Sequence, residues 1–327
     1  MKVWSRKWVH ITAVTAATAM LVAGCGDDNQ AVSGNMKDES SEKIKVVTSF
    51  YPMYEFSKQV GGEHADVMAL VPAGVEPHDW EPSAKDMANI KEADVFVYNG
   101  IVEGWAEQSL ESAPNDKRFV VEASKGIDLM EGEEEDEHTG EGHEEEEHEG
   151  KEHALDPHVW LSPVLAQQEV RSIQQAFEKA DPEHKEAYKN NADAFIDKLK
   201  TLDEFYKTEL QDVKRNEFIT QHAAFGYLAK EYGLIQVPIA GLSPDQEPSP
   251  EQMAEVVKFA KEHEVKTIFF ETLVDPKIAQ TIADEISAQT AVLNPIEGLT
   301  EDEMKNHVDY INVMERNLEG LKRALSE

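Results

Sequence analysis

The sequence predicts an α/β protein of two lobes, each a small, mostly parallel four-stranded sheet with surrounding helices, bridged by one long helix. Three observations carry this. Short β-branched runs alternate with helical patterns, which argues for parallel sheets. The runs come as four, then a gap of almost a hundred residues, then four more. Inside the gap, residues 183–215 contain neither Gly nor Pro. A helix of about 30 residues would reach roughly 45 Å, from one lobe into the other. The 327 residues suffice for two such units, and an apolar content of 40% supplies their cores.

The first 24 residues read as a secretory signal. Lys2, Arg6 and Lys7 precede the apolar run "ITAVTAATAMLVAG", and Cys25 follows it. Fourteen apolar residues fall short of the roughly 20 that a membrane span needs. "LVAGC" resembles the lipobox of bacterial lipoproteins. That resemblance implies cleavage before Cys25 and diacylglycerol on its sulfur; the alternative is an ordinary signal with an incidental cysteine. Residues 25–43 are rich in Gly, Ser, Asp and Asn and read as a flexible tether.

The first lobe is expected over 44–180, with strands at 44–50, 66–71, 94–99 and 118–123 and a helix at 84–93. The bridging helix is expected over 181–214. Asp181 can cap it, Pro182 suits its first position, and Phe195, Leu199, Leu202, Tyr206, Leu210 and Val213 follow at spacings of three and four. The second lobe, 215–327, has strands at 217–221, 235–240, 266–271 and 290–294 and helices at 249–263 and 276–288. Met304, Val308, Ile311, Met314, Leu318, Leu321 and Leu325 predict one closing amphipathic helix.

An acidic insert, 131–155, interrupts the first lobe. Over 131–153 thirteen carboxylates face one lysine, Lys151, so the segment is expected to stay unfolded. His138, His143, His148, His153 and His158 recur every five residues. Helix neighbours lie three or four apart, so this spacing builds no rigid local site. The first four are expected to form an auxiliary loop that holds metal weakly at the mouth of a cleft. A solvated insert without a role is the alternative.

Several functions are excluded. A net charge of −34 with no basic stripe repels nucleic acid. One cysteine allows no internal disulfide. There is no G-x-S-x-G, P-loop or G-x-G-x-x-G. In "HEEEEH" the imidazoles are five apart, whereas a zincin needs H-E-x-x-H.

Four residues outside the insert fall at the ends of expected elements. They are His78 in "VEPHDWEP", His158 in "DPHVWLSP", His222 in "ITQHAAFGY" and Glu297 in "LNPIEGLT". Loops at the carboxyl ends of parallel strands form ligand crevices. Two of the four belong to each lobe. Opposed across a cleft they would supply three imidazoles and a carboxylate, which suits tetrahedral Zn²⁺ with bonds of about 2.0–2.2 Å. Singly, each reads more readily as a surface or capping residue than as a ligand; together, at equivalent places in two lobes, they point to a site. Asp79, Asp156 and Glu271 are candidates to orient the imidazoles or to cap helices. Trp80 and Trp160 adjoin two of the ligands and suit a cleft wall or core packing equally.

"SFYPMYEF", "EPHDWEPS", "DPHVWLSP", "ITQHAAFGYLAKEYGL", "IAGLSPDQEPSP" and "LNPIEGLT" resemble the zinc-binding lipoprotein of the bacterial ABC-type zinc uptake system, a metal-binding solute-binding protein family. The resemblance runs from residue 44 nearly to the C-terminus. It implies two α/β lobes bridged by a long helix, with metal in the cleft on His78, His158 and His222. In the subgroup with "LNPIEGL"-like endings the fourth ligand falls on Glu297. Other zinc members use an aspartate a few residues earlier, where this chain has Asn294, a poor ligand. The manganese branch typically has a carboxylate at the place of His222, so this residue points to zinc. The resemblance further implies a non-enzymatic monomer outside the cytoplasm, held at the cell membrane by a lipid on Cys25. It would capture Zn²⁺ and hand it to an ABC permease driven by a partner ATPase. A manganese-binding homologue and a surface adhesin on the same fold are the alternatives. A secreted zinc hydrolase would need an open coordination position, and four protein ligands leave none.

Overall fold

The computed structural model describes residues 43–132 and 154–327. Cys25, with the signal and tether, and His138, His143, His148 and His153 lie outside the described residues.

Strands β1 (Ile44–Thr48), β2 (Ala65–Ala69), β3 (Val95–Tyr98) and β4 (Phe119–Glu122) form one sheet in the order β2-β1-β3-β4, every pair parallel. The central β3 is the apolar run VFVY and is buried along its whole length. The edge strands β2 and β4 expose residues, as strands with one unpaired side do. Helices α1 (Tyr51–Gly61), α2 (Ala84–Glu92) and α3 (Ala106–Ser112) connect these strands. Ser83 and Asp86 close a capping box on α2, which fixes where the loop carrying His78 must end.

The region between the sheets is two helices, and the second begins one turn after Asp181, the expected start of the bridging helix. Helix α4 (Pro163–Ala180) ends on Asp181, whose N–H bonds the Phe177 carbonyl. A single tight turn, Pro182–His184, follows, pinned by His184 Nδ1 against Asp181 Oδ2 at 2.6 Å. Helix α5 (Lys185–Leu210) then runs 26 residues, about 39 Å at 1.5 Å per residue. Its Phe195 packs against Phe56 of α1. Further along, its Tyr206 donates to the carbonyl of Met314 near the C-terminus.

The second sheet repeats the first: β5 (Glu217–Thr220), β6 (Ile235–Pro238), β7 (Thr267–Phe270) and β8 (Gln289–Val292) in the order β6-β5-β7-β8, all parallel. Helices α6 (Gly226–Tyr232), α7 (Pro250–Glu262) and α8 (Lys277–Ile286) connect its strands. The expected closing helix is shorter than its apolar spacing suggests. Short α9 (Glu301–Lys305) is separate, His307 turns the chain at φ 55°, and Asp309 caps α10 (Tyr310–Leu325). Met304 and Val308 therefore precede the buried face of α10. Among the described residues no helix is long and apolar enough to cross a membrane.

Candidate metal centre

In each lobe the strand order reverses beside the first strand, the place where open parallel sheets form ligand crevices. His222 lies two residues beyond β5, and Glu271 directly follows β7. His158 precedes α4 by one short turn, Val159–Leu161. His78 sits in the loop between β2 and α2. Glu297 follows β8 in a loop held on several sides. Asn294 and Asn317 exchange hydrogen bonds of 2.9 and 2.7 Å, and Trp160 Nε1 donates to the Pro295 carbonyl at 2.8 Å. Ile296 adopts φ 59°, a left-handed conformation that a β-branched residue enters only under constraint. The Asn294 side chain accepts from the Ile296 N–H at 2.7 Å and donates to Thr272, so it shapes this loop.

The structure brings His78, His158, His222 and Glu297 together: one ligand atom from each lies within 4.8 Å of the others. Glu297 Oε1 is 3.1 Å from His78 Nε2, 3.2 Å from His158 Nε2 and 3.3 Å from His222 Nε2. The Nε2 atoms of His158 and His222 are 3.3 Å apart. Donors on a tetrahedral ion with bonds of about 2.0–2.1 Å stand about 3.3–3.4 Å apart. Four edges of the cluster thus have the dimensions of a zinc coordination shell. His158 and His222 are fully buried and Glu297 is 2% exposed, while the His78 side chain keeps 12% of its surface.

The ring orientations are set from behind. Asp156 Oδ1 lies 2.8 Å from His158 Nδ1, and Glu271 Oε1 lies 2.6 Å from His222 Nδ1. The same oxygens accept the two backbone N–H groups at 2.9 and 3.2 Å. An imidazole that donates from Nδ1 turns the Nε2 lone pair toward the metal position. Two such lone pairs at 3.3 Å repel unless a cation or a proton stands between them. The site's own charges show the same demand. Burial disfavours a charged His222, but the Glu271 and Glu297 carboxylates outweigh it and hold its pKa well above the ordinary value. His158 is likewise raised, burial being outweighed by hydrogen bonds to Asp156 and Glu297. Burial also opposes the Glu297 carboxylate, and His222 with the other imidazoles holds its pKa well below the usual range.

Among the described residues no hydrogen bond joins Asp79 to an imidazole. Its carboxyl meets that of Asp245 across the mouth, and burial followed by this contact raises the Asp245 pKa. Trp160 is fully buried, with its ring 5.2 Å from that of His158. Trp80 packs edge-on against Trp105 at 5.2 Å, inside the first lobe. The sequence reading missed Glu76, whose two oxygens accept the His78 N–H at 3.1 and 3.0 Å. Burial and then the Glu297 charge push its pKa up to about 7. Its signal was present as the repeat of "EPH" and "DPH" at 76–78 and 156–158.

Two parallel α/β lobes meeting at a buried three-histidine, one-glutamate centre define a metal-binding solute-binding protein. The chain belongs to the family described as zinc-uptake complex component A, periplasmic, which it matches over residues 46–324. It is 52% identical over 321 residues to the high-affinity zinc uptake system protein ZnuA of Bacillus subtilis, covering 98% of each. The crystal structure of the metal-dependent lipoprotein YcdH from Bacillus subtilis is similar with a TM-score of 0.74 at 50% identity, over 87% of this chain and 100% of that one. The Zn(II)-bound ZnuA-like domain of Streptococcus pneumoniae AdcA gives 0.73 at 41% identity, again over 87% and 100%. The chain spans 59% of the whole AdcA protein. The chain is therefore the zinc-binding component of a zinc uptake system, a transport protein and not an enzyme.

Proposed function

We propose that the chain captures Zn²⁺ outside the cytoplasm on His78, His158, His222 and Glu297 and delivers it to the permease of an ABC transporter. It does so as a monomer anchored by a lipid on Cys25. Its working parts are the lobes 44–180 and 215–327, joined by the helical segment 181–214. The observation that carries this reading is the pair of imidazoles whose Nε2 atoms converge at 3.3 Å with both Nδ1 atoms held by carboxylates. Three imidazoles favour Zn²⁺ over Mn²⁺, which prefers oxygen donors. Four protein ligands leave no position for a reacting water, which suits a cargo that must leave unchanged.

His222→Ala tests it. The variant is expected to lose at least about 100-fold in zinc affinity, because it removes a ligand and leaves Glu271 facing an empty pocket. Competition against a chelator measures the loss, and circular dichroism checks that the helices remain. Equal affinity in variant and parent would take His222 out of the site.

A further inference from the structure

The three ligand imidazoles are not held alike. Asp156 and Glu271 pin His158 and His222 at Nδ1. Among the described residues no hydrogen bond holds His78 Nδ1. Its loop repeats the acid-Pro-His order of the His158 loop with one methylene more in the acid. In "DPH" the shorter Asp156 reaches Nδ1 of its own histidine. In "EPH" the longer Glu76 bonds only the backbone N–H and carries Oε1 on toward Nε2, 4.0 Å away. His78 Nε2 therefore has two carboxylates near it, Glu297 at 3.1 Å and the partly exposed Glu76 at 4.0 Å. His78 is also the ligand on the open side, since the other three are buried.

We propose that Glu76 is a transient zinc ligand that passes the ion into and out of the site together with His78. This rests on the reading of the four-residue centre as the zinc site. A zinc ion bonded to both would hold their donors about 3.3–3.4 Å apart, so the pair must close by about 0.7 Å. One Glu76 oxygen can keep the His78 N–H while the other turns to the metal. On entry a water leaves the hydrated ion as Glu76 binds, and a second leaves as the His78 Nε2 lone pair binds. Glu297, His158 and His222 then bond the ion, any proton on an imidazole Nε2 passing to water, and the remaining waters and finally Glu76 leave as the larger hydrated shell contracts to four ligands. No electron moves. Because Glu76 is absent from the final shell, it lowers the barrier in both directions.

Glu76→Gln is the test. The amide oxygen can still accept the His78 N–H, so the turn is kept, but the ligating charge is gone. Zinc association and chelator-triggered release are followed by stopped flow on the purified chain, beside Asp245→Asn as a charge-only control at the mouth. The expected result is that both rates fall together, by about tenfold, with their ratio held within about threefold. Asp245→Asn should slow association alone. Three results would overturn the proposal. One is unchanged rates in Glu76→Gln. A second is slower association with normal release, which is long-range attraction. The third is faster release with normal association, which is support of the turn. A His222→Ala chain that still holds zinc tightly would instead reject the underlying site, whatever Glu76 does.

Discussion

His222 shows how much of the chemistry depends on a single proton. It was expected to be a solvated loop residue; it is fully buried, with Glu271 behind it and Glu297 in front. In the metal-free protein these carboxylates keep the imidazoles of His222 and His158 protonated above their ordinary value of 6.5. The stability they contribute is full below that value and is lost as pH rises through the raised values. Glu297 behaves oppositely. Its contribution is present above 4.5 and is lost as pH falls through its depressed pKa. Zinc must displace the imidazole protons, so its apparent affinity should climb with pH until the raised values are passed and then level off. Calorimetry at pH 7 in buffers of different ionisation enthalpy should register release of about one to two protons per zinc. Zinc binding with no proton release would contradict imidazole ligation.

At the scale of elements, what the sequence made legible depended on whether the signal was local. All eight strand positions were readable, because each is a short β-branched run bounded by turns. The clustering of His78, His158, His222 and Glu297 was readable because strand ends in parallel sheets point to one crevice. The break before the bridging helix was readable too, from Asp181 as a cap and Pro182 at a first position, but the tight turn that delays α5 to Lys185 was not. The loop 294–297 was unreadable for a different reason: contacts from Trp160 and Asn317 impose its shape from far along the chain. Ile296 measures that imposition. Ile296→Gly relieves about 1–2 kcal/mol of left-handed strain, yet removes a fully buried side chain whose truncation costs about 2–5 kcal/mol. The variant should be net less stable, by roughly 2 kcal/mol in denaturant unfolding of the metal-free protein. It should also bind zinc more weakly, since Glu297 loses its anchored neighbour. A gain in stability would mean that packing around Ile296 contributes less than its strain costs.

For the whole molecule, the main core is shared by the two sheets, while smaller clusters, such as Val47, Ile90 and Phe96 in the first lobe, belong to one lobe. One cluster of buried side chains includes Val46 and Phe56 of the first lobe, Phe195 and Tyr206 of α5, and Phe218, Tyr310 and Leu321 of the second. A smaller cluster, with Ile219, Val256, Ile268 and Ile282, belongs to the second lobe alone. Neighbours Ile268 and Phe269 of β7 point to opposite faces, one into each cluster, so neither cluster can melt without disturbing the same strand. The metal-free protein should therefore unfold in one transition despite its two lobes. Of the tryptophans in the described residues, Trp80 and Trp105 pack together inside the first lobe, so with Trp160, which bonds Pro295 of the second, replaced by Phe their fluorescence reports on the first lobe, whereas circular dichroism averages all helices. The two signals should coincide during thermal unfolding. Zinc at about 100 times its dissociation constant should add about 2.7 kcal/mol. With an unfolding entropy of about 2 cal/mol/K per residue, that shifts both curves upward by roughly 5 °C. A tryptophan transition separated from the dichroism transition would show that the lobes fold independently, and that zinc, not the shared core, couples them.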